Sequence, residues 1–472
     1  MEKNRFVQLV ADMLYRTDRE SLNLETRYKS LEEWNYLFEV SLAMMLEEEY
    51  QVEVTPEDFD ARERWVSCSI GFVNPVWLIK TKKIGGIENM CGLAGIVGEV
   101  DLMEQVLLHM SAAQNHRGKE TPNSWVSSFI DARVGLMHNR MKTIDMAVAP
   151  KQPFEDNDTG LVVMLDGEIF NYEDVRRQLE NYCSFTTRGM CEVITKAYDR
   201  WGDGCFDRFE GYFSIVIYNR WSEELLLCRD RFGIKPLYYA TQRGNLFFAS
   251  EIKALFAGGI RPLLSAERWA SYLAYSTYGS PYETFWEGVH QLPAGFLLHY
   301  NGYSLVEKRW YEFEKRVSLW SEESPERLPE AFLEQMYRSV GYSLMGEMEK
   351  GLSLNGSLES ALFISLMKEI GLPRSLKSYM HYRGKLHQSG VLWSAEMLAE
   401  TPLPMEQVKI TKSMLLKELD YLARWQEEPI DGLNTITYSA FFRVMHKRGL
   451  SVLSGGWGLN HFLGGVSLPG DS

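Results

Sequence analysis

Apolar and polar positions repeat with helical spacing at the start of the chain and with strand spacing further on. Residues 5–16 and 31–49 have the helical period, and Leu31, Trp34 and Leu42 of the second run fall on one stripe. This pattern predicts a small α-helical bundle over residues 1–63. From Arg64 the period is lost, so residues 64–90 are predicted to be a linker or joint.

Short apolar runs separated by turn residues fill the middle of the chain. Strands are predicted at 161–165, 213–218 and 225–228, and helices at 172–180 and 192–201. A mixed α and β domain with paired sheets is therefore expected over residues 91–300.

The last segment, residues 325–472, opens with a helical run at 329–348. A strand, a glycine turn and a helix then follow over residues 353–367. This order of elements predicts an α/β domain with a doubly wound parallel sheet.

Composition limits the kinds of partner that are expected. The chain has 472 residues, 45% of them hydrophobic, and a net charge of -14. It is long enough for several packed domains, and its negative charge argues against nucleic acid as a partner. Because the sequence shows neither a signal-peptide pattern nor a long apolar run, a cytoplasmic protein with reduced thiols and no membrane partner is expected.

Cys91 is the first candidate for chemistry, since residues 91–98 resemble the start of enzymes whose first residue is the nucleophile. No histidine adjoins this thiol, so its own terminal amine would have to accept the proton. In the 472-residue chain that nitrogen is in a peptide bond to Met90. One hypothesis is that Met90 is a separate start and that residues 64–90 are a read-through joint between two genes, since the codons of Gly85-Gly86 can spell a ribosome-binding site.

Several longer motifs lie in the middle segment. They are His116-Arg117-Gly118 and residues 138–145, 152–153, 167–172, 229–239 and 249–255. On these motifs the segment resembles the class II glutamine amidotransferase domain of glutamine-hydrolysing asparagine synthetases. The resemblance implies a four-layer α+β sandwich of the N-terminal-nucleophile-hydrolase type, in which Cys91 attacks the side-chain amide of glutamine and releases ammonia.

The resemblance also implies a glutamine-binding role for Arg140, Asp166, Gly167 and Glu168. Arg140 would hold the glutamine carboxylate, because paired guanidinium donors match two oxygens. Asp166 stands where the family has an asparagine that donates to the oxyanion. An ionised carboxylate only accepts hydrogen bonds, so the change is expected to cost roughly 3 to 4 kcal/mol of barrier. In the family's Asp-Thr-Glu motif, Met190 replaces the aspartate that binds the glutamine α-amino group.

The last segment resembles the synthetase domain of the same family, which implies ATP and magnesium as cofactors. The ATP-binding loop falls on Asn355, Gly356, Ser357, Glu359 and Ser360. Ser357 adds a side chain where the family has a second glycine, and Glu359 is longer than the family's aspartate. The acidic magnesium motif aligns with residues 456–461, where both acids are replaced, so no metal ligand is predicted in this chain. The domain is predicted to be C-terminally truncated.

The first segment resembles an acyl carrier protein. Tyr36 occupies the position of the serine that carries phosphopantetheine, and a tyrosine cannot replace it as the acceptor. No phosphopantetheine is therefore expected, and the bundle is interpreted as a docking appendage.

Three functions follow from these features. The first is an amidotransferase of the asparagine synthase type, which binds glutamine and a carboxylate such as aspartate and transfers ammonia with ATP. The second is a catalytically impaired pseudoenzyme or interaction module that presents its bundle to biosynthetic partner proteins. The third is a decayed gene product. Magnesium-dependent pyrophosphate release, with and without aspartate, would separate the enzyme from the module.

Overall fold

The computed structural model describes residues 91–456 apart from short internal segments. These segments are 119–121, 129–132, 141–150, 277, 281, 321–323, 325, 346–348, 372–375, 384–387, 400–402, 431 and 451. The predicted carrier-like bundle, the joint at 64–90 and residues 457–461 of the magnesium motif lie outside the described residues. Among the described residues, none of the helices combines the length and the apolar composition that a membrane-spanning segment requires.

The first domain contains two six-stranded antiparallel sheets. Sheet 1 consists of β1 (Gly92–Val97), β2 (Asn123–Ser128), β3 (Arg133–Asn139), β8 (Tyr238–Gln242), β9 (Asn245–Ala249) and β10 (Val289–Gln291). Sheet 2 consists of β4 (Phe154–Asp156), β5 (Leu161–Ile169), β6 (Gly211–Asn219), β7 (Glu224–Arg229), β11 (Phe296–Tyr300) and β12 (Leu305–Arg309). The strand orders are β10-β8-β9-β1-β3-β2 and β12-β11-β7-β6-β5-β4.

Five helices and two 3-10 turns belong to this domain. They are α1 (Met103–Ala113), α2 (Tyr172–Leu179), α3 (Met190–Trp201), α4 (Ile252–Ala257) and α5 (Ala266–Tyr275), with 3-10 turns at Asn115–Arg117 and Gly202–Arg208. The strands predicted at 161–165, 213–218 and 225–228 and the helices predicted at 172–180 and 192–201 are confirmed within a few residues at each end.

Alternation along β1 shows how the layers form. Leu93 and Val97 point into a core that lies between the two sheets, whereas Ala94 and Ile96 point to the opposite face and pack with α1 and α4. Sheet 2 has the same arrangement, because its outer face packs against α2 and α3. The domain is therefore a four-layer α-β-β-α sandwich with β1 inside sheet 1.

The second domain is built on four parallel strands in the order β15-β14-β13-β16. The strands are β13 (Lys350–Leu354), β14 (Lys377–Arg383), β15 (Met405–Ile410) and β16 (Val452–Ser454). The helices are α6 (Phe313–Trp320), α7 (Leu328–Ser343), α8 (Leu358–Ile370), α9 (Gln388–Leu398), α10 (Lys412–Trp425) and α11 (Gly432–Lys447).

Helices cover both faces of this sheet, which confirms the doubly wound prediction. α7, α8 and α9 pack on one face, and α10 and α11 pack on the other. The order of strands reverses between β13 and β16, and ligands of such sheets bind at that point. The helix predicted at 329–348 ends earlier, at Ser343, because the Leu344 N–H donates to the Gly341 carbonyl in a tighter turn.

Candidate active site

Cys91 lies at one end of the sandwich, where the ends of two other strands flank the start of β1. Gly92 pairs with Asn139 at the end of β3. On the other side, the Leu93 N–H donates to Ser250 Oγ at 3.0 Å, just after β9. Two residues further on, Leu93 points into the layer between the sheets. The strand register therefore fixes the backbone around Cys91 from both sides.

Arg117 holds the backbone of Cys91 directly. Its Nε donates to the Cys91 carbonyl at 2.8 Å. Its two terminal nitrogens pair with two fully buried carboxylates, Nη2 with Asp166 Oδ2 at 2.6 Å and Nη1 with Glu251 Oε1 at 3.4 Å. Since all three guanidinium nitrogens are engaged, the arginine is fixed in one orientation and holds the backbone of Cys91 in place.

Asp166 has a second cationic partner, because Lys235 Nζ lies 2.9 Å from its Oδ1. Burial acts to raise the pKa of Asp166, but Lys235 and Arg117 outweigh it and hold that pKa below the usual range. The carboxylate is therefore ionised and neutralised by its two partners. Arg117 and Lys235 therefore balance the negative charge of Asp166, which would otherwise oppose an oxyanion. The ionised carboxylate still has no hydrogen-bond donor to offer.

Gly167 and Glu168 follow Asp166 on β5. Gly167 has a φ of 134°, and a Cβ there would lie 2.0 Å from the Tyr212 carbonyl oxygen, so this position requires glycine. Glu168 accepts a hydrogen bond of 3.0 Å from the Tyr212 hydroxyl. Burial raises the pKa of Glu168, against the effects of that hydroxyl and of Lys235 and Lys350. Because Lys350 begins β13, Glu168 faces the second domain.

Arg140 and Cys191 share the neighbourhood of Cys91. Burial raises the pKa of Cys191 to about 12, the Cys91 thiol adds to that effect, and Arg140 opposes it. Cys191 is thus a neutral thiol beside Cys91, at the position of the threonine in the family's Asp-Thr-Glu motif. Met190 precedes it at the start of α3, and a thioether cannot pair with an ammonium group.

The glutamate of that motif has a structural role. Glu192 Oε1 accepts from the Thr186 N–H and hydroxyl at 2.7 and 2.9 Å. Glu192 Oε2 accepts from the Thr187 N–H and hydroxyl at 2.6 and 2.7 Å. These four hydrogen bonds anchor the loop before α3, and with it the segment that brings Cys191 to Cys91.

Comparison with known proteins agrees with this geometry. Residues 90–311 match the glutamine amidotransferase domain family. A glutamine-hydrolysing asparagine synthetase of Bacillus subtilis is 34% identical over 295 residues, which are 58% of this chain and 38% of the relative. The match of residues 90–311 to a glutamine amidotransferase domain and the identity to an asparagine synthetase together support an asparagine-synthetase-like family.

Two fungal relatives extend the similarity beyond the amidotransferase domain. Amidase chry2 of Gibberella zeae is 25% identical over 416 residues, which are 80% of this chain and 59% of the relative. Amidase chyE of Penicillium rubens is 24% identical over 408 residues, with 79% and 59% covered. The chain thus spans between 38% and 59% of the length of these relatives.

The sequence analysis gave no role in the site to three charged residues that lie within its motifs. These residues are Arg117, Lys235 and Glu251. Their spacing along the chain gives no sign that they converge on Asp166 and on the carbonyl of Cys91. One signal was available in the sequence. The three charged residues adjoin strongly hydrophobic strands, and charges buried in such surroundings are usually paired.

The two histidines of the amidotransferase motifs have polar partners. His116 Nε2 lies 3.0 Å from Glu251 Oε1, and its ring packs edge-on against Trp425 of the second domain. His138 Nε2 lies 3.3 Å from the Leu165 carbonyl, and burial lowers the His138 pKa to about 4. His138 is therefore neutral at physiological pH, and both rings are held by contacts within the fold.

The predicted ATP-binding loop lies between β13 and α8, at the reversal point of the second sheet. Asn355 Oδ1 accepts from the Ser357 N–H at 3.1 Å and from the Ser360 hydroxyl at 2.7 Å. Ser357 Oγ in turn accepts from the Ser360 N–H at 3.4 Å. Glu359 is half-buried, and its carbonyl oxygen would lie 2.6 Å from a Cβ at Gly456. The loop lies at the end of β13 as predicted, but the N–H groups of Ser357 and Ser360 donate to side chains of the loop itself.

This arrangement does not fit the pyrophosphate cradle that the family resemblance implies. A phosphate needs outward-pointing backbone N–H groups at a helix start, and here side chains of the loop itself already occupy two of them. Among the described residues, no three histidine, cysteine or carboxylate side chains form a cluster that could hold a metal ion.

Proposed function

We propose that this chain, in a form that begins at Cys91, is a glutamine-dependent amidotransferase whose Cys91 releases ammonia from glutamine. The observation that supports this most is the anchoring of Cys91, whose carbonyl accepts from the buried Arg117 while Arg140 lies in the same site. A fixed nucleophile next to a guanidinium suits a substrate with one amide to cleave and one carboxylate to hold.

The reaction would use groups of this domain alone. In the form that begins at Cys91, the sulfur forms a bond to the amide carbon and the thiol proton passes through the terminal amine to the leaving nitrogen. The C–N bond then breaks and ammonia departs. Water then cleaves the glutamyl thioester and gives glutamate. The backbone N–H of Gly167 would be a donor to the oxyanion, since the carboxylate of Asp166 is engaged with Arg117 and Lys235.

Transfer of that ammonia to a carboxylate such as aspartate is the finer part of the proposal. The resemblance to asparagine synthetases supports it, and the parallel sheet of the second domain has the matching architecture. The loop closed by Asn355 favours a second candidate, in which the second domain is an impaired synthetase that acts as a scaffold.

Ammonia release tests the first part. A form that begins at Cys91 is expected to convert glutamine to glutamate and ammonia, and Cys91→Ala is expected to abolish this because no other group forms the thioester. Ammonia is measured with a coupled dehydrogenase assay. Equal rates for the parent and Cys91→Ala would contradict the proposal.

Pyrophosphate release tests the second domain. With magnesium, ATP and aspartate, the parent chain is expected to release little pyrophosphate, because the loop donors are already bonded within the loop. The double variant Asn355→Ser, Ser357→Gly is expected to release more, because it restores the family residues and exposes the N–H of residue 357. Rapid release by the parent would favour the complete amidotransferase over the scaffold.

A further inference from the structure

Glu427, in the loop after α10 of the second domain, binds the start of a helix in the amidotransferase domain. Its Oε2 accepts from the Ile252 N–H at 2.8 Å, and its Oε1 accepts from the Lys253 N–H at 2.6 Å. These are the first two residues of α4, whose N–H groups have no partner within the helix. The carboxylate of Glu427 thus joins the two domains.

A continuous series of contacts runs from Glu427 to the nucleophile residue. Lys253 Nζ lies 3.4 Å from Glu427 Oε1 and 2.7 Å from Glu251 Oε2. The other oxygen of Glu251 pairs with Arg117 Nη1 at 3.4 Å, and Arg117 Nε donates to the Cys91 carbonyl at 2.8 Å. Each step joins groups of opposite charge or a donor to a carbonyl, so displacement of one group changes the balance at the next.

Cations and anions alternate along this series. The cations are Arg117, Lys235 and Lys253, and the anions are Asp166, Glu251 and Glu427. Glu251 is fully buried, Glu427 has 9% of its side chain exposed, and Lys253 has 22%. Removing the charge of Glu427 takes one anionic partner from Lys253, which draws Lys253 towards Glu251 and weakens the hold of Glu251 on Arg117.

Neighbouring contacts keep Glu427 in this position. Trp286 Nε1 donates to the Glu427 carbonyl at 2.8 Å, and the Tyr278 hydroxyl donates to the Pro429 carbonyl at 2.9 Å. Lys253 Nζ also donates to the Trp425 carbonyl at 3.3 Å. The loop that bears Glu427 is thus fastened to the amidotransferase domain on both sides of the glutamate.

We propose that Glu427 is a positioning residue for Cys91, through which the second domain sets the geometry of the glutamine site. The role in catalysis rests on the proposed function, but the positioning of the thiol does not. On this account the second domain contributes to ammonia release whether or not its own loop binds a nucleotide.

The alkylation rate of Cys91 in the full chain tests the proposal without glutamine turnover. Iodoacetamide labelling is followed over time by mass spectrometry of the Cys91 peptide. Glu427→Gln keeps the shape and removes the charge, so Cys91 is expected to react about fivefold faster as its anchor loosens. Glu427→Asp keeps the charge and is expected to stay closer to the parent than Glu427→Gln does.

The matched control is Tyr342→Phe, at a separate contact between the domains. The Tyr342 hydroxyl donates to Glu210 Oε2 at 2.8 Å, and its ring stacks on Phe170. This variant is expected to leave the labelling rate within about twofold of the parent, because it does not touch the series of contacts to Arg117.

Turnover gives a second readout in the form that begins at Cys91, where Glu427→Gln is expected to lower kcat about fivefold at an unchanged KM. Unchanged labelling in Glu427→Gln with a lower unfolding temperature would show a purely structural role and overturn the proposal. Equal acceleration in Tyr342→Phe would also overturn it, since the cause would then be general separation of the domains. A parent form that releases no ammonia but shows the labelling differences would refute the proposed function and leave the positioning role in place.

Discussion

Replacing Arg117 with methionine is expected to lower the free energy of unfolding by about 3–5 kcal/mol, because breaking a buried ion pair leaves its partner charges uncompensated. Arg117 lies between two fully buried carboxylates, Asp166 and Glu251, and methionine keeps the stem but not the charge. Urea unfolding followed by tryptophan fluorescence measures the change. The matched control is Arg177→Met, at an exposed pair with Asp174, where a loss below about 1 kcal/mol is expected.

The stability difference between the parent and Arg117→Met should depend on pH, which a loss of packing alone would not cause. Burial acts to raise the pKa of Asp166, but Lys235 and Arg117 outweigh it and hold the folded-state value below the unfolded one. The stabilisation from Asp166 is therefore complete above the unfolded pKa of about 4 and is lost as the pH falls through the folded value. The difference between parent and Arg117→Met should narrow in acid. A difference that stays constant across this range would mean that the lost contacts are mainly apolar.

The sequence predicted the secondary structure correctly where one repeat of apolar positions continued over several residues. β5 and β6 are buried on both faces and read as continuous apolar runs, so their positions were found within a few residues. The end of α7 was not found, since the apolar period continues past Ser343 while the backbone turns at Gly341. A local turn of this kind depends on backbone geometry that the apolar pattern does not contain.

The sequence named candidate residues for the site but not the partners of their side chains. Asp166 was identified by comparison with the family's asparagine, and the sequence assigned its charge to the oxyanion. The fold instead places the carboxylate between Arg117, 49 positions earlier, and Lys235. Charge balance in a buried network is a property of the tertiary structure, so a single substituted residue could not reveal it.

Asn355 and Glu427 show the same limit in the second domain. Asn355 was predicted to belong to an ATP-binding loop, but its side-chain oxygen accepts from the Ser357 N–H that the loop would offer to a ligand. The carboxylate of Glu427 binds the first two N–H groups of α4. In both cases the partner of the side chain depends on the folded structure, which the motif does not contain.

An unblocked amine at Cys91 is expected to raise glutamine hydrolysis by about 10³-fold, which is the range in which a positioned general base contributes. In the 472-residue chain the nitrogen of Cys91 is an amide and cannot accept the thiol proton. The two described histidines of the site motifs do not replace it, because His116 is paired with Glu251 and His138 lies against the Leu165 carbonyl. Ammonia release by residues 1–472 and by residues 91–472 measures the ratio.

A form with one alanine before Cys91 is the matched control, since it blocks the amine and adds almost nothing else. It should be as slow as the full chain, while labelling of Cys91 by iodoacetamide shows that the thiol is still accessible. If the full chain, verified uncut by intact mass, hydrolyses glutamine as fast as the form that begins at Cys91, the terminal amine is not the base. The proton would then have to pass to another group near the thiol, and Cys191 is excluded because its pKa of about 12 makes the neutral thiol a poor acceptor.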